Sequence, residues 1–171
     1  KEVTEQCDDG NTTNGDGCSN TCTSEANRYL TAANILASMG LIVDHSANPV
    51  NYRLNDTIIR QEATKLAAGV HGGILTNEID YKCTGMFSDA PDGTWVCRVA
   101  ELSKLWGILS GSSTLFRPTA NLSKIEAIEF ALRATKLIPT GEHTNDEILK
   151  YAVDAHIIPS AAGVVINASL E

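Results

Sequence analysis

Oxygen donors crowd the first stretch of the chain. Asp8, Asp9, Asn11, Asn14 and Asp16 lie between Cys7 and Cys22, with Gly10, Gly15 and Gly17 supplying turns. Hard oxygens on a tight loop suit Ca²⁺, which takes about six to eight of them. Asp8, Asp9, Asn11 and Asp16 are therefore candidate calcium ligands. The spacing is not that of an EF-hand, because no Glu stands at the twelfth position of a D-x-D-x-D-G frame. The competing reading is that Asp and Asn simply make turns here. This head has almost no large apolar side chains, so only cross-links or a metal could order it. Its cysteines, Cys7, Cys18 and Cys22, leave one over. Either a partner lies upstream or one thiol is free. Cys83 and Cys97, 14 residues apart, are either a bridge or two buried thiols. A bridge would contribute about 3 kcal/mol in the loop-entropy account. This cysteine usage points to an oxidising, extracytoplasmic setting.

The other chemistry-bearing residues are dispersed. His45, His71, His143 and His156 form no H-E-x-x-H pair, and neither a G-x-S-x-G elbow nor a phosphate loop occurs. No cysteine sits beside a histidine as a nucleophile would require. An enzyme is not expected. A net charge of −8 over 171 residues disfavours nucleic acid, whose phosphates need a basic stripe. No apolar run reaches the ~18 residues a membrane span needs. Starting at Lys1, the sequence reads as an excised fragment, with Leu170-Glu171 as a vector-derived pair.

The elements that would position these residues are short helices. Hydrophobic residues make up 43% but aromatics only 5%, so the core must be mostly Ala, Leu, Ile and Val. Ser24 can cap a helix carrying Leu30, Ala33, Leu36, Ala37 and Met39, closed by Gly40. Ile59, Ala63, Leu66, Ala67 and Val70 make a second stripe, ended by Gly72-Gly73. A third helix runs from Trp95 through Val99 and Leu102 to Trp106, with Gly107 as its stop. Both tryptophans read as core residues rather than as platforms for a ligand. A fourth helix, capped by the Ser123/Glu126 box, buries Ala127, Phe130, Ala131, Ala134 and Leu137. A fifth spans about Asn145 to Ala155.

The chain also repeats itself. Tyr52 to Ala63 aligns without gaps on Phe116 to Ala127, which places Ile59 opposite Ser123. Isoleucine cannot cap, so the second helix is expected to start earlier, at Asp56 or Thr57, with Arg60 in its first turn. The two copies should then differ locally. Repetition at tens of residues implies units that cannot each close a core alone.

Phe87-x-Asp89, Trp95, Gly107-Ile108-Leu109-x-Gly111, Phe116-x-Pro118 and Leu122-Ser123-Lys124-Ile125-Glu126 resemble the S-layer homology (SLH) domains of bacterial surface proteins. An upstream copy matches from Met39-Gly40-Leu41-Ile42-Val43 onward. A third begins near His143 and puts His156 in place of the glycine. The head, Cys7-Asp8-Asp9-Gly10-Asn11 through Gly15-Asp16-Gly17-Cys18-Ser19 to Cys22, resembles the cysteine-rich, Lin-12/Notch-like repeat of such proteins.

The resemblance implies a mainly α fold: a pseudo-threefold assembly of SLH helix-loop-helix units behind a small disulfide-rich N-terminal segment. The units would be residues 1–24 (cysteine-rich, calcium-binding), 25–82, 83–139 and a partial third at 140–171. It implies non-catalytic anchoring at the bacterial cell surface, through secondary cell-wall polysaccharide that is often pyruvylated. The glycan-binding positions carried over are Arg60 with Glu62, Lys124 with Glu126, and the turns at Gly40, Gly107 and Gly111. A cation beside an amide-rich turn and a helix N-terminus is a reasonable carboxylate site. The first motif reads Ile58-Ile59-Arg60-Gln61-Glu62, without the family's threonine, and Lys124 lacks the bidentate fork of arginine. The alternative is a degenerate, calcium-ordered scaffold for protein–protein assembly in a surface layer, with no glycan binding.

Overall fold

The computed structural model describes residues 25–42, 52, 57–72 and 81–158. They form helices α1 (Glu25–Ser38), α2 (Arg60–Gly72), α3 (Trp95–Leu105), α4 (Lys124–Ala134) and α5 (Asn145–Asp154). The fold is mainly α, as expected. Among the described residues no helix is long and apolar enough to cross a membrane. The chain divides into two compact bodies, Lys1–Leu54 and Asn55–Glu171. In the first body, α1 buries Ala33, while Leu30, Ile35 and Met39 are exposed.

The second body is built around α4, which packs against both α2 and α5. One side of α4 places Phe130 and Ala134 in a core with Ala63, Ala67 and Ala68 of α2, Cys97 and Ala100 of α3, and Phe87, Ile108, Phe116 and Leu122 from the loops. The opposite side places Ile125 and Leu132 against Ile148, Leu149 and Ala152 of α5. The small residues of α2 let its neighbours approach closely, which is how a chain poor in aromatics fills its interior at native density. Four expected core positions lie outside it: Val70, Trp95 and Ala131 are exposed, and Leu137 is 46% exposed. Leu137 sits beyond the end of α4, where the helical stripe that nominated it no longer applies.

The helix ends share one geometry. α3, α4 and α5 each close with paired bonds of Schellman type. In α3 the amide of Gly107 donates to the carbonyl of Lys104 and that of Ile108 to Ser103. Lys136 and Leu137 repeat the pattern on Arg133 and Leu132, and His156 and Ile157 on Val153 and Ala152. In the other body, Gly40 and Leu41 do the same on Ala37 and Leu36. The motif demands a left-handed residue, and φ is 73° at Gly40, 73° at Gly107, 59° at Lys136 and 56° at His156. His156 therefore adopts the backbone geometry that Gly107 has at the close of α3.

Helix starts correct one expectation. α2 begins at Arg60, not at Asp56 or Thr57. Ile59 stands where Ser123 stands, its carbonyl accepting the first helical bond from Ala63 as Ser123 accepts from Ala127. Glu62 reaches back to the Ile59 amide (3.2 Å) as Glu126 does to Ser123 (2.9 Å). Half of the capping box operates without a capping side chain, so the two copies share one geometry. A backbone bridge between Ile59 and Asn121 joins the two starts.

Candidate functional site

The Phe-x-Asp and Phe-x-Pro motifs meet as a clasp. Asp89 accepts from the amides of Phe116 and Arg117, each at 2.7 Å. Phe87 packs against the Phe116 ring at 5.7 Å. Arg117 is held at φ 57° just before Pro118. These residues set the loop that leads into α4.

Two of the carried-over residues meet each other. Arg60 Nη2 pairs with Glu126 Oε1, linking the starts of α2 and α4. The arginine side chain is 12% exposed and the glutamate 31%. Arg60 Nε is buried with no acceptor among the described residues. Burial pushes the Glu126 carboxyl up. Bonds from the Ser123 amide, Arg60 and the Ser123 hydroxyl outweigh that and hold it below its ordinary value. Glu62 is exposed and bonds to Ile59, and Lys124 is exposed with no partner among the described residues. The pair accordingly locks two helix starts together rather than leaving a guanidinium open to solvent.

The glycines separate. Gly111 lies in a turn whose carbonyl accepts from Lys104 Nζ, and a Cβ added to it would meet nothing. Gly40 belongs to the other body, also with open space beside it. Gly107 alone is crowded: a Cβ there would lie 3.1 Å from Thr140 Cγ2. Glycine is favoured at this position by its left-handed φ and by the close Thr140 methyl.

Gly107 lies on a groove of about 370 Å³ lined by His71, Trp106, Arg133, Lys136, Pro139 and Thr140, with Ile138. The carboxyl ends of α2, α3 and α4 converge on it. His71 and Trp106 stack at 6.0 Å with an interplanar angle of 14°. Nδ1 of His71 lies 3.3 Å from the Arg133 carbonyl. The Arg133 guanidinium is 2% exposed and fully engaged: Glu129 takes Nε and Nη2, Gly107 O takes Nη1 at 3.0 Å, and Gly141 O takes Nη2 at 2.6 Å. It is therefore a rivet, and Lys136, exposed at the C-terminus of α4, is the open cation of the groove. Helix carboxyl ends favour cations and present carbonyls as acceptors. The aromatic floor suits a polyhydroxylated ring, and Lys136 is the group that would attract an anionic substituent against the helix carboxyl ends.

Trp95 differs from its expected core role: it is 37% exposed, with Lys65 Nζ 5.2 Å above its ring. Trp106 only partly enters the core, and its stacking with His71 puts it on the groove.

The Cys83–Cys97 bridge is present, with Cα atoms 6.3 Å apart. Beside it lies Glu101, fully buried on α3. Glu101 Oε2 accepts from Tyr81 Oη (3.0 Å), Thr84 N (2.8 Å) and Thr84 Oγ1 (3.0 Å), and Oε1 accepts from Met86 N (2.9 Å). Burial pushes this carboxyl up, and these donors outweigh burial and hold it down. The Tyr81 hydroxyl is pushed up by burial and by its bond to Glu101. Ligand atoms of Cys83, Cys97 and Glu101 lie within 4.8 Å of one another, a spacing that could hold a metal ion. As a cystine, the sulfurs have no thiolate to give. The expected calcium ligands Asp8, Asp9, Asn11 and Asp16 lie outside the described residues.

Sequence reasoning missed Lys136, Arg133, Thr140 and Glu101. Arg133 and Lys136 in the last turn before Pro139 were a helix-end signal, and Glu101 falls four residues after Cys97 on the buried face of α3.

A scan against known protein families found no match. A search of curated proteins likewise found none.

Proposed function

We propose that this chain is a non-catalytic anchoring module of the bacterial cell surface, of SLH type, that binds secondary cell-wall polysaccharide. The observation that carries the proposal is the groove of about 370 Å³ at Trp106, Gly107 and Lys136. Its aromatic floor offers a face to a sugar ring, and Lys136 pairs with a carboxylate such as a pyruvyl ketal. Recurrence of one helix-end geometry at Gly40, Gly107 and His156 supports the reading of repeated units. The pseudo-threefold assembly, the extracellular location and calcium in the head belong to the same proposal. Arg60, Glu62 and Glu126 hold the helix starts that frame the module, and Lys124 offers an exposed cation beside them.

The test is sedimentation with purified sacculi of the source bacterium. The protein co-sediments, and Lys136→Gln weakens retention about tenfold, the loss of one charge-assisted contact. Absence of co-sedimentation contradicts the proposal. A second reading, assembly within a surface layer without glycan, is favoured by the exposed Leu105 (58%), Leu115 (50%) and Leu137 (46%). It predicts calcium-dependent self-association, which an EDTA-insensitive monomer would exclude.

A further inference from the structure

We infer that His71 is a further ligand-contacting residue of the Trp106–Lys136 groove: it reads the acidic group of the ligand and makes binding tighten as pH falls. The inference rests on the reading of that groove as a site for an acidic saccharide. Charge sets the groove apart from the rest of the chain. The chain carries a net charge of −8, yet His71, Arg133 and Lys136 line the groove and no carboxylate does. Arg133 is engaged by Glu129 and by the carbonyls of Gly107 and Gly141. That leaves Lys136 and His71 to face a ligand. His71 is half-buried in the last turn of α2, its ring stacked on Trp106 at 6.0 Å. Nδ1 lies 3.3 Å from the Arg133 carbonyl. A carbonyl can only accept, so the neutral ring carries its proton on Nδ1. Nε2 then holds a bare lone pair and has no protein partner among the described residues. The two contacts fix the ring, and neither uses Nε2.

The two protonation states of the ring recognise different groups. In the neutral ring, Nε2 accepts from a sugar hydroxyl. In the imidazolium, Nε2–H donates to a carboxylate while Nδ1–H keeps its bond to Arg133. A carboxylate shared by His71 and Lys136 therefore binds together with one proton, which the ring takes from solvent. The charged groups facing the ring are few. From α4 come Arg133, paired with Glu129, and the exposed Lys136. Trp106 at the end of α3 and Ile138, Pro139 and Thr140 after α4 are uncharged. On α2 itself, Lys65 lies over the Trp95 ring, and Arg60 and Glu62 belong to the opposite end of the helix. An anion shared by His71 and Lys136 offsets the repulsion between two cations, so anion and proton each favour the binding of the other. Histidine is the side chain that changes charge between about pH 5 and 8, a range in which a carboxyl titrating near about 3.5 stays ionised. The pH response thus belongs to the protein and not to the ligand.

The test is calorimetric titration of the full chain, at about pH 8 and about pH 5.5, with a pyruvyl ketal of a methyl hexoside and with the methyl ester of the same ketal. The acid binds about tenfold tighter at the lower pH, and the uncharged ester shows no such gain. His71→Gln keeps hydrogen-bonding atoms but cannot take up a proton. It retains helical circular dichroism and binds the acid equally at both pH values. Lys136→Gln binds more weakly at both and keeps the gain. Ring nitrogen resonances of His71 in the free protein at the higher pH show the Nδ1–H tautomer. Binding of the acid that is indifferent to pH, or a gain that survives in His71→Gln, overturns the inference and leaves the anchoring role of the groove standing. An Nε2–H tautomer overturns it as well, independently of any ligand. Absence of binding at both pH values overturns the inference and the anchoring role together.

Discussion

Glu101 is where a single side chain decides most. It is the one carboxylate among the described residues that is fully buried, and its bonds from the 81–86 segment are strongest while it is charged. Its native carboxyl sits below the ordinary value of 4.5, so the unfolded chain binds the proton more readily than the folded one. Stability from this group is complete above about pH 4.5 and is lost as pH falls through the native value. Acid unfolding followed by circular dichroism shows this loss in the wild type. Glu101→Gln flattens the acid limb and lowers stability at pH 7, because an amide cannot accept all of those bonds. An unchanged acid limb in the variant would show that another carboxylate governs it. Backbone strain acts at this scale too. His156 holds φ 56° in a Schellman position, which costs a residue with a Cβ about 1 kcal/mol relative to glycine. His156→Gly relieves that strain but adds freedom to the unfolded chain, so the denaturant midpoint rises by less than the full amount, with no change in slope.

Elements in this chain are defined by their ends more than by their stripes. α4 carries a full capping box and a Schellman close; α2 has only the Glu62 half of its box, yet it starts at the aligned residue. The tertiary bond from the Arg60 amide to the Ala120 carbonyl (2.9 Å) and that from Gln61 to Pro118 (2.9 Å) fix its start in place of a capping side chain. That is why reading Ile59 as unable to cap misplaced the helix: the missing donor–acceptor pairs come from residues about 60 positions away in sequence. Helix existence and turn glycines were legible because period and φ requirement are local. Leu137 and Trp95 misled because apolar type alone does not say which side of a helix end will be covered. The groove was not legible because Lys136, Thr140 and His71 become neighbours only when three helix ends converge. The Asp89 clasp belongs to this scale as well. Asp89→Ala removes two charge-assisted bonds and costs about 3 kcal/mol, measured by urea unfolding, while Asp89→Glu keeps the charge and costs less. Equal losses in the two variants would contradict the clasp.

As a molecule, the second body is a small helical frame with α4 at its centre and two different outputs at its ends. At one end Arg60 and Glu126 fasten the starts of α2 and α4; at the other, helix carboxyl termini open onto the Trp106–Lys136 groove. The exposed cation of the groove, Lys136, stands beside the rings of His71 and Trp106. Arg60→Ala therefore acts first on stability, and Lys136→Gln first on binding. The most direct measurement is equilibrium titration of the protein with purified, soluble wall polysaccharide, before and after chemical removal of its acidic substituents. The account predicts saturable binding that falls about tenfold both on removal of the acid groups and in Lys136→Gln, with the two losses not adding. Binding that is absent, or that is indifferent to Lys136 and to the acidic groups alike, would contradict it.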